Sequence, residues 1–228
     1  MPKITFICSV DFPDIEKPQP ASFFIPDWYK EMESYMNGVK KPDGNGGTSG
    51  TIKKCMPVFD AITAGYILTT PADIYVSLKD GVQFFEWANF NLIRFHPVEQ
   101  APNHPIKTIG AYPKFMNPWG VKTEKGYSIL LVEPMHHNLP FHVMPGVIDT
   151  DQYAAPVNVI FSMKDLNFEG LIPKGTPFAQ IIPFRRESYK MEFDNFNNSI
   201  EFRNTIVLLR TKFHDAYKTM FRVPKEYK

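Results

Sequence analysis

Short apolar runs, each ended by proline or glycine, constrain the fold of this chain more than any other feature. The 228 residues include 21 prolines, which fit poorly in helix interiors and in central strands. Residues 74–78 alternate apolar and polar side chains, as a half-buried strand does, and further strand patterns follow as far as residue 184. Short strands separated by turns predict a mainly β fold, a barrel or a sandwich, rather than alternating strands and helices.

Helical patterns occur near the two ends of the chain. Residues 27–36 predict a short helix that Asp27 can cap. A second helix is predicted from a cap at Asn198 to about residue 221. Its apolar residues recur at helical spacing, which places them on one face: Ile206, Leu209, Phe213, Ala216 and Met220.

These patterns divide the chain into three predicted segments. Residues 1–56 contain a strand, the short helix and a glycine-rich loop that wrap the core, residues 57–185 form the β domain, and residues 186–228 form a helical extension. From residue 203 onward the chain has seven basic and two acidic residues. This excess indicates a solvated helix face or, alternatively, a patch for an acidic partner.

The bulk composition excludes several classes of protein. With 25 basic and 24 acidic residues, the chain has no global attraction for nucleic acid. No apolar run approaches the roughly 18 residues that span a bilayer, and the N-terminus lacks the ordered parts of a signal peptide. Cys8 and Cys55 are too few for a disulfide framework. A cytoplasmic protein without membrane contact is therefore the default expectation.

An acid pair stands directly before one of the predicted strands. Asp149 and Asp151 are followed by Tyr153, and Gln180 lies in a later apolar run. A carboxylate can act as a general base when a water lies within hydrogen-bond reach. It can equally tie down the backbone of a turn between two strands. The residues alone leave both interpretations open.

The stretch from residue 64 to residue 184 resembles the trimeric dUTPase family in the order of its motifs: "AGYILTT", "EKGYSILLVEP", "PGVIDTDQYAAPVNVIF" and "PKGTPFAQIIPF". The resemblance implies a β-clip fold, a compact barrel-like wrap of strands that assembles as a trimer. It also implies that Asp149 orients the attacking water and that Tyr153 stacks on the sugar. Gln180 would lie beside the phosphates or at the trimer centre.

The sequence departs from the family's pattern at the phosphate site. Ile67 replaces an aspartate that helps to hold magnesium-bound triphosphate, and residues 135–137, Met-His-His, replace an Arg-Ser pair. Residues 154–155 are alanines where the family has Arg-Gly, and a basic helix replaces the glycine-rich C-terminal arm. Because the forked cation and its hydroxyl neighbour are missing, we expect a dUTPase-like scaffold that has lost its phosphate-binding motifs.

The chain is also similar to uncharacterised proteins of bacteria and tailed phages that share the core "PGVIDTD…GTPFAQIIPFRRE". That resemblance implies no activity, but it extends the recurring unit to Arg185 and Arg186. The two arginines could face a ligand, and the alternative is a solvated strand end.

We therefore expect a non-enzymatic, homo-oligomeric protein that binds or assembles with a protein partner. The trimer is favoured by the resemblance, since β-clip folds similar to this one also serve as trimeric head-decoration proteins of phages. A phage-encoded chain of that type would be located in the virion rather than in the cytoplasm. This function needs no metal or other cofactor.

Two alternatives remain open. A nucleotide or phosphate-ester hydrolase would use Asp149 as the base, Arg185 or Arg186 as phosphate ligands, and Mg²⁺. A histidine-bound metal enzyme would need His142 together with His136 or His137. Those last two cannot easily share one metal, since adjacent side chains on a strand point to opposite faces.

Overall fold

The computed structural model describes residues 1–9, 15–41, 49–88, 91–196, 199–211 and 215–228. The chain forms two compact units. Unit 1 comprises Met1–Phe24 and Ala64–Arg186, and unit 2 comprises Ile25–Thr63 and Glu187–Lys228. The division into three segments predicted from the sequence stays a prediction. Asn198 and Phe213, which we expected in the C-terminal helix, lie outside the described residues.

Unit 1 is built from antiparallel strands, and the chain is mainly β, which confirms the mainly β class predicted from the sequence. Its strands are β1 (Ile4–Cys8), β2 (Gln19–Pro20), β3 (Tyr66–Thr69), β4 (Ile74–Lys79), β5 (Val82–Trp87), β6 (Ile93–Pro97), β7 (Ala111–Phe115), β8 (Trp119–Thr123), β9 (Tyr127–Val132), β10 (Phe141–Val143), β11 (Gly146–Ile148), β12 (Val159–Met163), β13 (Gly170–Ile172) and β14 (Pro177–Arg185). They form four sheets with the orders β1-β8, β10-β12-β7-β6, β11-β9-β14-β3-β2 and β13-β4-β5. Short 3₁₀ turns occur at Ala21–Phe24 and Val98–Gln100.

Strand β14 lies at the centre of the five-stranded sheet. It pairs with β9 on one side and with β3 on the other. Four consecutive residues of β14, from Phe178 to Ile181, are fully buried. A continuous apolar run bounded by turn residues is the sequence pattern of a strand that is covered on both faces. The apolar stretch around Gln180 therefore reflects the central place of β14.

A cluster of phenylalanine rings fills the core of unit 1. The ring of Phe178 lies 4.4 Å from that of Phe115, 4.8 Å from that of Phe141 and 5.1 Å from that of Phe161, measured between ring centroids. These are the separations at which aromatic pairs attract beyond their buried area. The cluster joins β14 to β7, β10 and β12, so it connects strands of two sheets.

Unit 2 contains the helices α1 (Asp27–Glu31), α2 (Met56–Ile62) and α3 (Ile200–Thr211), with 3₁₀ turns at Met36–Gly38 and Ile52–Lys54 and a π-helical turn at Tyr217–Phe221. Asp60 of α2 accepts hydrogen bonds from Arg222 at 2.7 Å and from Lys225 at 2.8 Å. Burial alone would raise the pKa of Asp60, but these two cations hold it below its ordinary value. Arg222 and Lys225, two of the basic residues near the C-terminus, therefore pair with an acidic side chain within unit 2.

The helix expected over residues 27–36 is shorter than predicted. It ends at Glu31, because the backbone of Met32 is extended, with φ −59° and ψ 134°. The position before the helix is occupied by Pro26, and Asp27 lies inside the first turn, where it pairs with Lys30. The prediction that Asp27 caps the helix was therefore wrong.

Two further helical segments differ from the sequence patterns. The predicted β domain begins at residue 57, but residues 57–62 lie in α2 (Met56–Ile62), with Pro57 in the first turn where its missing N–H costs nothing. The C-terminal helix is not continuous to residue 221, because Asp215, which lies between α3 and the π-helical turn at Tyr217–Phe221, has a φ of +61°. Aspartate adopts this left-handed conformation more readily than most residues do, and a residue in this conformation interrupts a helix.

Within the described ranges, no helix combines the length and the apolar composition needed to cross a membrane.

Gly65 directly precedes β3, and its substitution tests how closely β3 packs against β14. We expect Gly65→Ala to destabilise the protein more than Gly81→Ala does. Both glycines have positive φ, at +68° and +77°, so both substitutions should cost about 1–2 kcal/mol for the left-handed backbone. At Gly65 the added Cβ would lie 1.9 Å from the carbonyl oxygen of Ile181, whereas Gly81 has open space.

Urea unfolding of the two variants measures this difference. The collision on β14 should add about 1–3 kcal/mol to the loss at Gly65. Equal losses of unfolding free energy would show that β3 and β14 do not approach each other as described.

Candidate functional site

The acid pair lies where two turns of unit 1 meet. One turn joins β8 to β9, and Gly126 in it has a φ of +86°. The other follows β11, where the carbonyl of Asp149 accepts hydrogen bonds from the N–H groups of Gln152 and Tyr153, both at 2.9 Å. Strand β11 pairs with β9 so that Ile148 lies opposite Ile129. The strand register therefore brings the acid pair beside the start of β9.

Asp149 is the more exposed acid of the pair. Its side chain is 60% exposed, and its Oδ1 accepts a hydrogen bond from the hydroxyl of Ser128 at 2.7 Å. Ser128 itself is fully buried at the start of β9. The hydroxyl of Ser128 in β9 thus positions Oδ1 of Asp149. Most of the carboxylate contacts solvent, where it can accept hydrogen bonds from water.

Asp151 is almost completely covered, with 2% of its side chain exposed. Arg186 binds it through two donors, with Nη1 2.8 Å from Oδ1 and Nη2 bonded to Oδ2. The backbone N–H of Gly126 donates to Oδ2 at 2.8 Å. Such a two-donor pair is among the strongest hydrogen-bonded contacts in proteins. The bonds from Arg186 and Gly126 hold the pKa of Asp151 well below its ordinary value of 3.8.

Strand β14 places Arg186. Its last residue, Arg185, lies opposite Tyr127, and the N–H of Arg186 donates to the carbonyl of Gly126 at 2.8 Å. The guanidinium then also reaches Ser128 Oγ at 2.9 Å and Asp149 Oδ1 at 3.2 Å. Arg186 therefore connects the end of β14 to both turns.

The charges of this cluster determine what it can attract. Asp149 and Asp151 contribute two negative charges and Arg186 one positive charge, so the net charge is negative. Since the Nη groups of Arg186 already donate to carboxylates and to Ser128, a phosphate would have to displace those bonds. The geometry suits a cation or a hydrogen-bond donor at Asp149 better than an anion.

The remaining predicted site residues do not converge on the guanidinium. Arg185 is exposed and, as the neighbour of Arg186 along an extended segment, points to the opposite face. Tyr153 is exposed in the turn that contains the acid pair. The structure thus groups Asp149, Tyr153 and Arg186 in one region, and it adds Ser128 and Gly126, which the sequence patterns did not single out for this site. The only signal for Ser128 was a polar residue in the otherwise apolar run "YSILLV".

Gln180 lies in the buried part of β14 and bonds to the backbone on two sides. Its Oε1 accepts from the N–H of Met135 at 2.8 Å, and its Nε2 donates to the carbonyl of Ala64 at 2.7 Å. A buried amide needs such partners, because leaving it unpaired is costly. Gln180 therefore fixes the turn after β9 and the approach to β3 within one chain.

The histidines of the third candidate site have other neighbours. His142 Nδ1 lies 3.1 Å from Glu133 Oε2, and Lys164 binds the other oxygen of Glu133 at 2.8 Å. Burial lowers the pKa of His137, and the neighbouring His136 lowers it further. Among the side chains that the structure describes, no three from His, Cys, Asp and Glu are grouped closely enough to hold a metal ion.

A surface cavity of about 550 Å³ lies elsewhere in unit 1. Its lining includes Asp73, Tyr75, Glu86, Trp87 and Lys174. None of the predicted site residues contributes to it, so the acid pair occupies a turn junction rather than this cavity.

No model of a known protein family matches the chain, and neither does any curated protein sequence. The dUTPase-like and phage-type resemblances therefore remain expectations drawn from the motifs themselves.

Removal of the Gln180 amide should destabilise unit 1. We expect Gln180→Leu to lower the free energy of unfolding by about 2–4 kcal/mol, because the N–H of Met135 and the carbonyl of Ala64 would each lose a partner. The matched control is Gln83→Leu, whose amide donates at 3.2 Å to the carbonyl of Asp165 near solvent. Water can replace that bond, so the control should change stability by less than about 1 kcal/mol. Similar losses in both variants would contradict the role assigned to Gln180.

The Asp151–Arg186 pair should make stability depend on acidity. Because the folded pKa of Asp151 is depressed, its contribution is complete above the unfolded pKa of about 3.9 and is lost as the pH falls below it. Urea unfolding between pH 7 and pH 2 should show a steep loss in the wild type. Asp151→Asn and Arg186→Gln should each reduce that slope, since each removes the pair. Curves parallel to the wild type would contradict this assignment.

Proposed function

We propose that this chain is a non-enzymatic, homo-oligomeric binding or assembly protein on a β-clip, dUTPase-like scaffold without a phosphate site. Its partner would be another protein, and the phage-type resemblance places it among structural or decoration proteins of virus particles, with the trimer as the expected assembly. The observation that carries the proposal is the engagement of Arg186. It is the cation beside the acid pair, and its guanidinium is held by Asp151, Asp149 and Ser128.

The chemistry of phosphate binding supports this proposal. A nucleotide site needs cations or hydrogen-bond donors aimed at the phosphates. Around the guanidinium of Arg186, Asp149 and Asp151 place two negative charges, so a polyphosphate would have to displace a carboxylate to reach it. Ile67, which stands where the resembled family has a metal-binding aspartate, is buried in β3.

An exposed apolar pair supports a protein-facing surface on unit 1. Leu171 of β13 and Tyr75 of β4 are direct cross-strand partners, and both side chains are exposed. Neighbouring apolar side chains that remain in water mark surfaces for protein contact more often than isolated ones do. This face therefore suits a protein partner.

The hydrolase is the second candidate, and one observation favours it. Asp149 is largely exposed, and a hydroxyl positions it, which is what a water-orienting carboxylate requires. Under this alternative, Arg186 would exchange Asp151 for a phosphate and Mg²⁺ would accompany the nucleotide.

A thermal-shift screen with a nucleotide panel separates the two candidates. The purified chain and its Asp149→Ala variant are melted with each nucleotide, with and without Mg²⁺ or Zn²⁺. We expect no nucleotide to shift the melting temperature of either protein. A ligand at about a hundred times its dissociation constant would add roughly 2.7 kcal/mol of stability, an easily visible shift.

Asn195→Ala, a change of an exposed polar residue in unit 2, is the matched control. A shift that the wild type and this control share, and that Asp149→Ala abolishes, would overturn the proposal and establish nucleotide binding at the acid pair.

A further inference from the structure

The segment that follows β14 exposes an unusual series of apolar side chains. In residues 188–194, which we name the arm, Tyr189, Met191 and Phe193 are 85%, 78% and 89% exposed. The arm belongs to unit 2, and no helix or strand of the described residues includes it. Water-exposed aromatic side chains of this kind are unfavourable in a monomer unless another surface covers them.

The exposed apolar area in and just after the arm amounts to a large part of what an interface needs. Phe196 and Phe202 follow the arm, with ring centroids 5.7 Å apart, and they are 51% and 53% exposed. At roughly 150–250 Å² per aromatic side chain, these two rings with Tyr189 and Phe193 expose about 400–700 Å². Met191 adds to this area. A stable interface covers about 800 Å² on each partner, so these side chains supply a large part of that area.

The order of residues in the arm is the alternating order of a strand. Apolar side chains occupy every second position, and Lys190 and Glu192 lie between them. These two charged residues form an ion pair at 2.6 Å. Residues two apart share one face when the backbone is extended. The arm therefore has one apolar face and one face with a positive and a negative charge.

This pattern is complementary to itself. When two arms run antiparallel with Met191 on the two-fold axis, Tyr189 of each copy lies opposite Phe193 of the other. In the same arrangement, Lys190 of each copy lies opposite Glu192 of the other. Aromatic pairs and opposite charges in directly facing positions both stabilise antiparallel strands. A two-fold contact requires this relation, in which residue i meets residue j and j meets i.

We propose that the arm is a self-association element that pairs with the arm of a second copy of this chain, antiparallel and centred on Met191. The inference rests on the proposed homo-oligomeric function and deepens it by naming the contact and its symmetry. A two-fold contact joins copies in pairs, so the assembly contains an even number of chains. If the expected trimer also forms, the arms join two trimers into a hexamer.

Sedimentation equilibrium over a concentration series tests the contact through charge reversal. The wild type should have a mass that is an even multiple of 26.3 kDa. Lys190→Glu and Glu192→Lys each place like charges opposite each other twice per pair. Each should weaken the pairing at least about tenfold, which corresponds to about 1.4 kcal/mol. The double variant Lys190→Glu/Glu192→Lys restores opposite charges and should recover the wild-type mass.

Mixing the two single variants gives a second readout. An arm with Glu at both positions is complementary to an arm with Lys at both, so the arms should pair in the mixture more tightly than in either single variant alone. The matched control is Glu226→Lys, which breaks an exposed ion pair with Lys228 of the same two-residue spacing. It should keep the wild-type mass. Thermal unfolding of every variant checks that folding is unchanged, since the replaced side chains lie in water.

The outcomes distinguish the inference from the function on which it rests. A wild type that is monomeric at every concentration would overturn both. A wild type that associates, with single variants of unchanged mass, would overturn the arm contact and leave the homo-oligomeric proposal intact. Loss of association in the single variants with recovery in the double variant and in the mixture supports the arm contact directly.

Discussion

The pairing of β14 on both of its edges is the constraint on which the rest of unit 1 depends. With β9 on one side and β3 on the other, this strand fixes three features at once. Phe178 is held in the ring cluster of the core, and Gln180 bonds to backbone on two sides. Arg186 is carried to the junction of two turns. A shift of one residue along β14 would reverse the faces of all these side chains.

The acid pair shows how similar residues can acquire different roles from their surroundings. Asp151 is covered and bound by a guanidinium and a backbone N–H, which is the arrangement of a structural ion pair. Asp149 is solvated and touches the same guanidinium only at 3.2 Å. A buried carboxylate needs such partners because an unpaired charge is expensive to bury. The cation that could have bound phosphate is instead part of the fold, which is why we favour an assembly protein over a hydrolase.

Sequence patterns predicted the strands better than the helices. The alternation over residues 74–78 corresponds to β4, and the continuous apolar run before residue 184 corresponds to β14. Both were predictable because a strand buried on one face alternates apolar and polar residues, whereas a strand buried on both faces is apolar throughout. Helix α2 is only seven residues long, too short for a clear helical period. The C-terminal pattern continued past Asp215, whose left-handed backbone no apolar spacing reveals.

The candidate site was only partly predictable for a different reason. Asp149 and Tyr153 were found because they follow one another in a motif. The contact between Asp151 and Arg186 joins residues 35 positions apart, and it depends on the registers of β9, β11 and β14 together. Gly126 contributes a backbone N–H, which carries no sequence signal at all. Contacts of this kind follow from tertiary structure and not from local residue order.

A double-mutant cycle on Asp151 and Arg186 tests the central claim most directly. The free energy of unfolding is measured for the wild type, Asp151→Asn, Arg186→Gln and the double variant, with the same cycle on Asp149 and Arg186 for comparison. If Arg186 is a structural partner of Asp151, the double variant will lose clearly less stability than the sum of the single losses. The solvated Asp149 should show a smaller coupling. Additive losses at Asp151 and Arg186 would contradict the account and leave the guanidinium available for a ligand.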